Sequence, residues 1–252
     1  MNPRLYPLAA AAALLLAGGA ALAQAPGPGP GPGAAPTPDG RVYNLGPFDS
    51  IEINGSAVVR FTQGASDQVQ VEGGDDVQKA VDMDVRRGTL SVRSGGSWKF
   101  WNARRLQINV TARSLRRVTI SGAADLNATS PVQVEQLVVD ISGAGTARFD
   151  QLKAEQLTFH VSGAGDGRVA GTVKQVNIDV SGKSTLDAGD LMSDRARVSI
   201  SGIGDVEVWV TQDLSVSVAG IGTVDYWGNP NVRRSVSGKA TINGRGAKRA
   251  VP

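Results

Sequence analysis

From Val118 to Val236 apolar and polar residues alternate with a period of two, in short runs that each close on the same kind of tripeptide. The apolar members are Leu137, Val139 and Ile141; Leu157, Phe159 and Val161; Val176, Ile178 and Val180; Leu214, Val216 and Val218. A period of two puts every second side chain on one face, so each run predicts a strand with one face buried. The closing tripeptides are Ile120-Ser121-Gly122, Ile141-Ser142-Gly143, Val161-Ser162-Gly163, Val180-Ser181-Gly182, Ile200-Ser201-Gly202, Val218-Ala219-Gly220 and Val236-Ser237-Gly238. Their glycines lie 21, 20, 19, 20, 18 and 18 residues apart, and a fixed period near twenty is the mark of a solenoid. After each glycine come a few small residues and a second, shorter alternation, as at Val206 and Val208 or Val224 and Tyr226. No unit has room for a useful helix, which excludes leucine-rich and helical repeats. Two strands and a glycine corner per unit, stacked in parallel, predict an all-β fold: a right-handed parallel β-helix with coils of about 18–21 residues.

The recurrence also decides what the glycine stretches do. Val161-Ser162-Gly163-Ala164-Gly165-Asp166-Gly167 resembles a phosphate-gripping loop, but a dinucleotide fingerprint occurs once, between a strand and a helix. Repeated in every unit it reads as a corner, where glycine offers positive φ and lets coils approach without a Cβ. Ahead of the regular repeats, Ile51 to Phe61 reads as strand, corner and strand, a divergent first coil. Val69–Val71, Val81–Val85 and Leu90–Val92 predict further strands, and Asp75–Ala80 one or two helical turns.

Residues 1–23 carry Arg4, an apolar run from Leu8 to Leu22 and the small-residue pattern Ala21-Leu22-Ala23, which predicts a cleaved signal peptide and export to the periplasm or cell surface. Residues 24–40 alternate Pro and Gly and predict a tether. That leaves residues 41–246 for one domain and 247–252 for a basic tail, with no run in the mature chain apolar enough to cross a bilayer. The chain has no cysteine, 32 glycines and only 5 % aromatic residues. Its stability must therefore come from packing and backbone hydrogen bonding rather than disulfides or large aromatic cores.

The lead-in FDSIEINGSAVVRFTQG (Phe48–Gly64), the segment LQINVTARSLRRVTISG (Leu106–Gly122) and the reiterated [IV]SGxG[DT] units resemble the bacterial GIN-domain family, named for auto-transporter adhesin head domains. The resemblance runs from about Phe48 to Gly244. It implies a parallel β-helix in an exported bacterial protein, an adhesive role, and no catalytic residues to carry over. The auto-transporter label further implies a C-terminal barrel of many alternating strands. None is read before Pro252, so adhesion is expected of a free or partner-held protein.

In a β-helix equivalent residues stack into columns, and chemistry is sought down them. One column reads Thr119, Asp140, His160, Asp179, Ser199, Ser217, Ser235, with the single histidine between two aspartates. Asp140, His160 and Asp179 are the candidate acid–base or metal column; equally, the histidine relieves repulsion between like charges on neighbouring coils. No second histidine completes a ligand set, so no metal site is read, and no cofactor motif occurs. A second column, Asp125, Thr146, Asp166, Thr185, Asp205, Thr223, Thr241, predicts corner-capping hydrogen bonds. A third, Asn127, Arg148, Arg168, Asp187, Glu207, Asp225, Asn243, passes from basic to acidic along the axis, and the serine column predicts a hydrogen-bonded ladder.

The strongest candidate site is the aromatic and basic lead-in: Trp98, Lys99, Phe100, Trp101, Arg104 and Arg105, continuing to Arg113, Arg116 and Arg117, with no acid between. Such residues stack on sugars and pair with phosphate or carboxylate, so the expected partners are an anionic envelope polymer, a lipid headgroup or a surface protein. The same residues would equally serve as an end cap. Export argues against nucleic acid. The resulting expectation is a non-catalytic envelope binding or structural module. Its rivals are a glycan-active β-helix enzyme, which would need converging carboxylates, and a scaffold that self-assembles through an exposed coil end as a homo-oligomer.

Overall fold

The computed structural model describes residues 36–37, 40–94 and 106–248. The signal peptide read at 1–23 and the tether read at 24–40 fall almost wholly outside them. The chain is built from β1 (Pro36–Thr37), β2 (Gly40–Tyr43), β3 (Ser50–Asn54), β4 (Ala57–Gln63), β5 (Gln68–Glu72), the one-turn helix α1 (Asp75–Lys79), β6 (Val81–Arg86), β7 (Thr89–Ser94), β8 (Leu106–Ala112), β9 (Arg117–Ile120), β10 (Asp125–Ala128), β11 (Val132–Gln133) and β12 (Gln136–Ile141). There follow four long strands, β13 (Thr146–Val161), β14 (Asp166–Val180), β15 (Lys183–Ile200) and β16 (Ile203–Val218), then β17 (Ile221–Trp227), β18 (Asn231–Val236) and β19 (Lys239–Gly244). The predicted strands and the short helix are all present.

These elements wind into a parallel β-solenoid. A first wall holds the strands that precede each glycine corner: β3, β9, β12, the second halves of β13 to β16, and β18. A second wall holds the strands that follow it: β4, β10, the first halves of β13 to β16, β17 and β19. A short third side runs through Val132, Leu152, Gly171 and Leu191. Register shifts after Phe149, Arg168 and Ala188 mark where the long strands turn onto it.

The first coil departs from chain order. β7 pairs in parallel outside β3, and β8 in parallel outside β4, although both follow them in sequence. The chain thus lays one coil outward before crossing to β9 and winding the other way. β6 adds antiparallel to β7, β5 to β8 and β2 to β5. The N-terminal end is thereby covered by strands that run against the solenoid and cannot continue it.

The apolar alternation supplies the interior. Ile120, Ile141, Val161, Val180, Ile200 and Val218 stack coil on coil and are all buried, as are Phe149 and Phe159. Each such side chain contributes about 1.5–3 kcal/mol by leaving water. The column ends at Val236, which is 48 % exposed on the last coil.

At the corners the glycines Gly55, Gly122, Gly143, Gly163, Gly182, Gly202, Gly220 and Gly238 form one column. A Cβ on any of the last seven would stand 1.9 to 2.1 Å from the carbonyl oxygen of the glycine one coil before. That oxygen accepts the N–H of the residue following the next glycine: Ala144 to Gly122 at 3.0 Å, Lys183 to Gly163 at 2.9 Å, Ile221 to Gly202 at 2.9 Å. The positive φ expected at these corners occurs only at Gly55 (φ 133). Close approach, not left-handed backbone, is what demands glycine at the other seven.

The last coil breaks the apolar rule. Down one interior column Val139, Phe159, Ile178, Val198 and Val216 are followed by Arg234. Its guanidinium donates to Tyr226 Oη at 3.4 Å. An inward-pointing charge on a terminal strand opposes the addition of another strand.

Two outcomes follow from this packing. Gly182→Ala should cost about 3 kcal/mol, read as a lower urea midpoint, whereas Gly74→Ala, at the N-cap of α1 with nothing within 4 Å of its Cβ, should cost no more than about 1 kcal/mol. Equal effects would mean that the corner column does not limit coil spacing. Arg234→Val should introduce concentration-dependent association in sedimentation velocity; a variant that sediments like the parent at every concentration would show that the arginine does not guard the end.

Candidate functional site

Of the aromatic and basic lead-in, Trp98, Lys99, Phe100, Trp101, Arg104 and Arg105 lie outside the described residues. The chain leaves at Ser94 and re-enters at Leu106, the ends of β7 and β8. In register Ser94 follows Arg93, the partner of Asn54, and so stands at the corner column beside Gly55. A Cβ on Gly55 would meet Ser94 Oγ at 2.0 Å.

Arg113, Arg116 and Arg117 each hold a carboxylate. Arg113 donates through Nε and a terminal nitrogen to Asp67 Oδ2 at 2.9 and 2.6 Å, and through its backbone N–H to Oδ1 at 3.0 Å. Arg116 donates to Asp49 at 2.7 Å, and Arg117 pairs with Asp140. The stretch has no acid along the chain, but the winding brings acids from other strands. Burial of Asp67 pushes its carboxyl up; the Arg113 hydrogen bonds and charge outweigh it and hold the group below the usual carboxylate range.

The histidine column assembles as read, extended at one end by Glu52, the register partner of Thr119. Asp140 is engaged by Arg117, and His160 Nδ1 lies 3.9 Å from Asp179 Oδ2 on an exposed wall. Among the described residues no group of three or more His, Asp or Glu side chains could hold a metal ion. In the second column Thr146 Oγ1 donates to Asp125 at 2.7 Å and the Thr185 N–H to Asp166 at 2.9 Å, the corner-capping expected of it. The corner serines are exposed. They are joined coil to coil by their backbone N–H groups, with a single long hydroxyl bond from Ser181 to Val161 O at 3.4 Å. The hydrogen-bonded ladder expected of this column is thus carried by the backbone rather than by the hydroxyl groups.

The walls carry a further cluster that sequence reasoning missed. On the outer face of the first wall, Asn177, Arg197, Ser215 and Arg233 occupy one column, and Gln175, Arg195 and Asp213 the adjacent one. They ring a shallow depression of about 160 Å³. Among the described residues Arg195, Arg197 and Arg233 form no ion pair, whereas Arg60, Arg93, Arg148, Arg168 and Arg245 each hold a carboxylate. Arg195 and Asp213 are register partners, yet no bridge closes between them within 4.0 Å. The signal was available in the column two residues before the histidine column, which opens with Arg117, held by Asp140, and carries Arg197 and Arg233 in its last coils without such a partner.

The family described as "Putative auto-transporter adhesin, head GIN domain" matches residues 47–230. No curated protein matches the chain. A crystal structure of a putative adhesin from Bacteroides fragilis is similar at TM-score 0.75 and 23 % identity, covering 82 % of this chain and 95 % of that one. One named a putative lipid binding protein, from Parabacteroides distasonis, reaches TM-score 0.64 at 18 % identity, covering 84 % and 98 %. A putative adhesin from Parabacteroides merdae reaches 0.59 at 19 %, covering 81 % and 95 %. At these identities the likeness establishes the fold.

The Asp67–Arg113 pair gives a pH dependence. A carboxyl whose folded pKa is depressed contributes stability that is full above its unfolded pKa of about 3.9 and is lost as pH falls through the folded value. Compared with Asp67→Asn, the parent should be more stable at pH 7 and should lose that advantage below about pH 4. Urea midpoints from pH 7 to 2.5 read the difference; a gap that does not change with pH would show that the charge of Asp67 is not what matters.

Proposed function

The chain belongs to the GIN-domain family, and on that premise we propose that it is an exported, non-catalytic envelope module that binds an anionic surface polymer or lipid headgroup across the basic face of its first wall. The observation that carries this reading is the set of three guanidinium groups, Arg195, Arg197 and Arg233, unpaired around a shallow polar depression. Guanidinium forks match phosphate, sulfate and carboxylate, and leaving them without a carboxylate keeps them available to a ligand. Arg195 and Arg197 stand two residues apart on one strand, about 7 Å, and Arg197 and Arg233 two strands apart, about 9.6 Å. Charges spaced so on a flat wall suit an extended ligand carrying repeated anionic groups. A small molecule would gain little from a surface without enclosing walls.

Export is supported by the apolar leader at 1–23 and by the adhesins among the structural neighbours. The name of one neighbour, a lipid binding protein, supports a headgroup as one form of the ligand. The segment Trp98–Arg105, outside the described residues, is a second contact in this proposal. A glycan-active enzyme would need two carboxyl groups about 5 to 9.5 Å apart across the scissile bond; the depression is lined by one, Asp213.

The test is cosedimentation with anionic phospholipid vesicles and, separately, with purified anionic envelope polysaccharide. It compares the parent, the triple variant Arg195→Gln, Arg197→Gln, Arg233→Gln, and Trp98→Ala, Trp101→Ala, Arg104→Ala, Arg105→Ala. The triple variant should lose about tenfold or more in affinity for one of the two ligands, and the parent's binding should weaken with salt. Undiminished binding by a folded triple variant would remove the basic face from the proposal, and loss confined to the Trp98–Arg105 variant would move the site to that segment.

A further inference from the structure

The acidic end of the third column meets the tail in an arrangement that the basic face does not explain. Beyond β19 the Arg245 N–H donates to Tyr226 O and the Gly228 N–H to Gly246 O, both at 2.8 Å, so the chain runs on in parallel past the end of β17. Gly246 adopts φ +85 there. Lys248 then reaches the flank of the second wall. Its Nζ donates to Gly189 O and to Asp190 Oδ1, each at 2.7 Å. It also lies 5.8 Å from the ring centre of Trp209 and 5.2 Å from that of Trp227.

The acceptors and rings come from three coils held in register by the backbone ladder. Gly189 and Asp190 belong to β15, Trp209 to β16 and Trp227 to β17, with Trp209 and Trp227 direct register partners. Trp227 is itself fixed, its Nε1–H donating to Glu207 Oε1 at 2.5 Å. A Cβ on Gly189 would stand 2.5 Å from that same carboxylate oxygen, so a side chain there would displace Glu207. The backbone ladder among β15, β16 and β17 and the Glu207 bond hold these groups in addition to what the tail contributes. A carbonyl, a carboxylate and two indole faces are the partners that a primary ammonium group takes when it leaves water. Lys248 shows that the notch accepts one. The hydrogen bond from Lys248, opposed by burial and helped by the charges of Lys248 and Arg168, holds the Asp190 carboxyl below the usual range.

We propose that this notch is a binding site for the alkylammonium group of a lysine side chain on another polypeptide, and that Lys248 is its intramolecular occupant. A tethered competitor acts at an effective concentration in the millimolar range. It therefore screens out weak amines while leaving the notch open to a partner that brings further contacts. The site is separate from the basic face, carries the opposite charge, and stands or falls without it.

The probe is Nα-acetyl-lysine methylamide, titrated into the full chain and into Lys248→Ala while indole fluorescence and calorimetric heat are followed. Strand circular dichroism and the urea midpoint confirm that the variant is folded. Lys248→Ala should bind the probe with a dissociation constant in the millimolar range, and the parent about tenfold more weakly. The norleucine analogue, whose side chain ends at the ε-carbon without the ammonium, should bind neither. Adding Asp190→Asn to Lys248→Ala should abolish the response. The proposal is overturned if Lys248→Ala gives no saturable response, if the norleucine analogue binds as well as the lysine probe, or if parent and variant bind equally.

Discussion

One contact sets the geometry of the molecule: the carbonyl of each corner glycine accepting an N–H from the coil above, with the next glycine's α-carbon passing directly over it. The spacing leaves no room for a Cβ, and it recurs from Gly55 to Gly238. Strand pairing alone would hold adjacent coils at about 4.8 Å, but it would not fix the place at which the chain turns from one wall to the next. The glycine column does so in every coil. Interior residues then fall in line, and Ile141 must rest on Ile120 and under Val161.

A structure of this kind has little local relief, so its chemistry resides in what the columns carry. Along the axis the outer positions separate by charge. Arg195, Arg197 and Arg233 collect on the first wall with one acid, Asp213, among them and no ion pair closed, while Asp187, Asp190, Glu207 and Asp225 collect on the second with Arg168, Arg245 and Lys248 among them. Nearest-neighbour stacking makes such separation easy to build, because one substitution per coil extends a column without disturbing the interior.

The regular coils were legible because both of their signals are local in the chain. An alternation of two names the buried face, and a tripeptide at a fixed interval names the corner. The outward coil β7/β8 was not, because a chain that winds back outside its own start leaves no mark in a period. The same non-locality explains the site residues. Arg113, Arg116 and Arg117 form a run without acids, yet Asp67, Asp49 and Asp140 arrive from 23 to 67 positions away. Arg195, Arg197 and Arg233 look like scattered surface charges until the register places Arg197 and Arg233 on either side of Ser215. The reason given for glycine was half correct. Close approach held, while the left-handed backbone is found at one corner of the column.

The two ends of the solenoid solve the same problem by different means. At the N-terminal end, antiparallel strands β6, β5 and β2 close the ladder, and their direction alone prevents a further parallel coil. At the C-terminal end the last coil stays parallel and its outer edge is left to chemistry. From Tyr226 to Lys248 there is no acidic residue, while Arg233, Arg234, Lys239, Arg245 and Lys248 are basic. Two copies meeting through that end would bring like charges together, with Arg234 standing in the interior column where an apolar contact would be needed. Repulsion of that kind leaves the end accessible to unlike partners. The end that resists its own kind is also the one beside the unpaired arginines and the Lys248 notch, so the last coils combine protection of the edge with the groups best placed to bind.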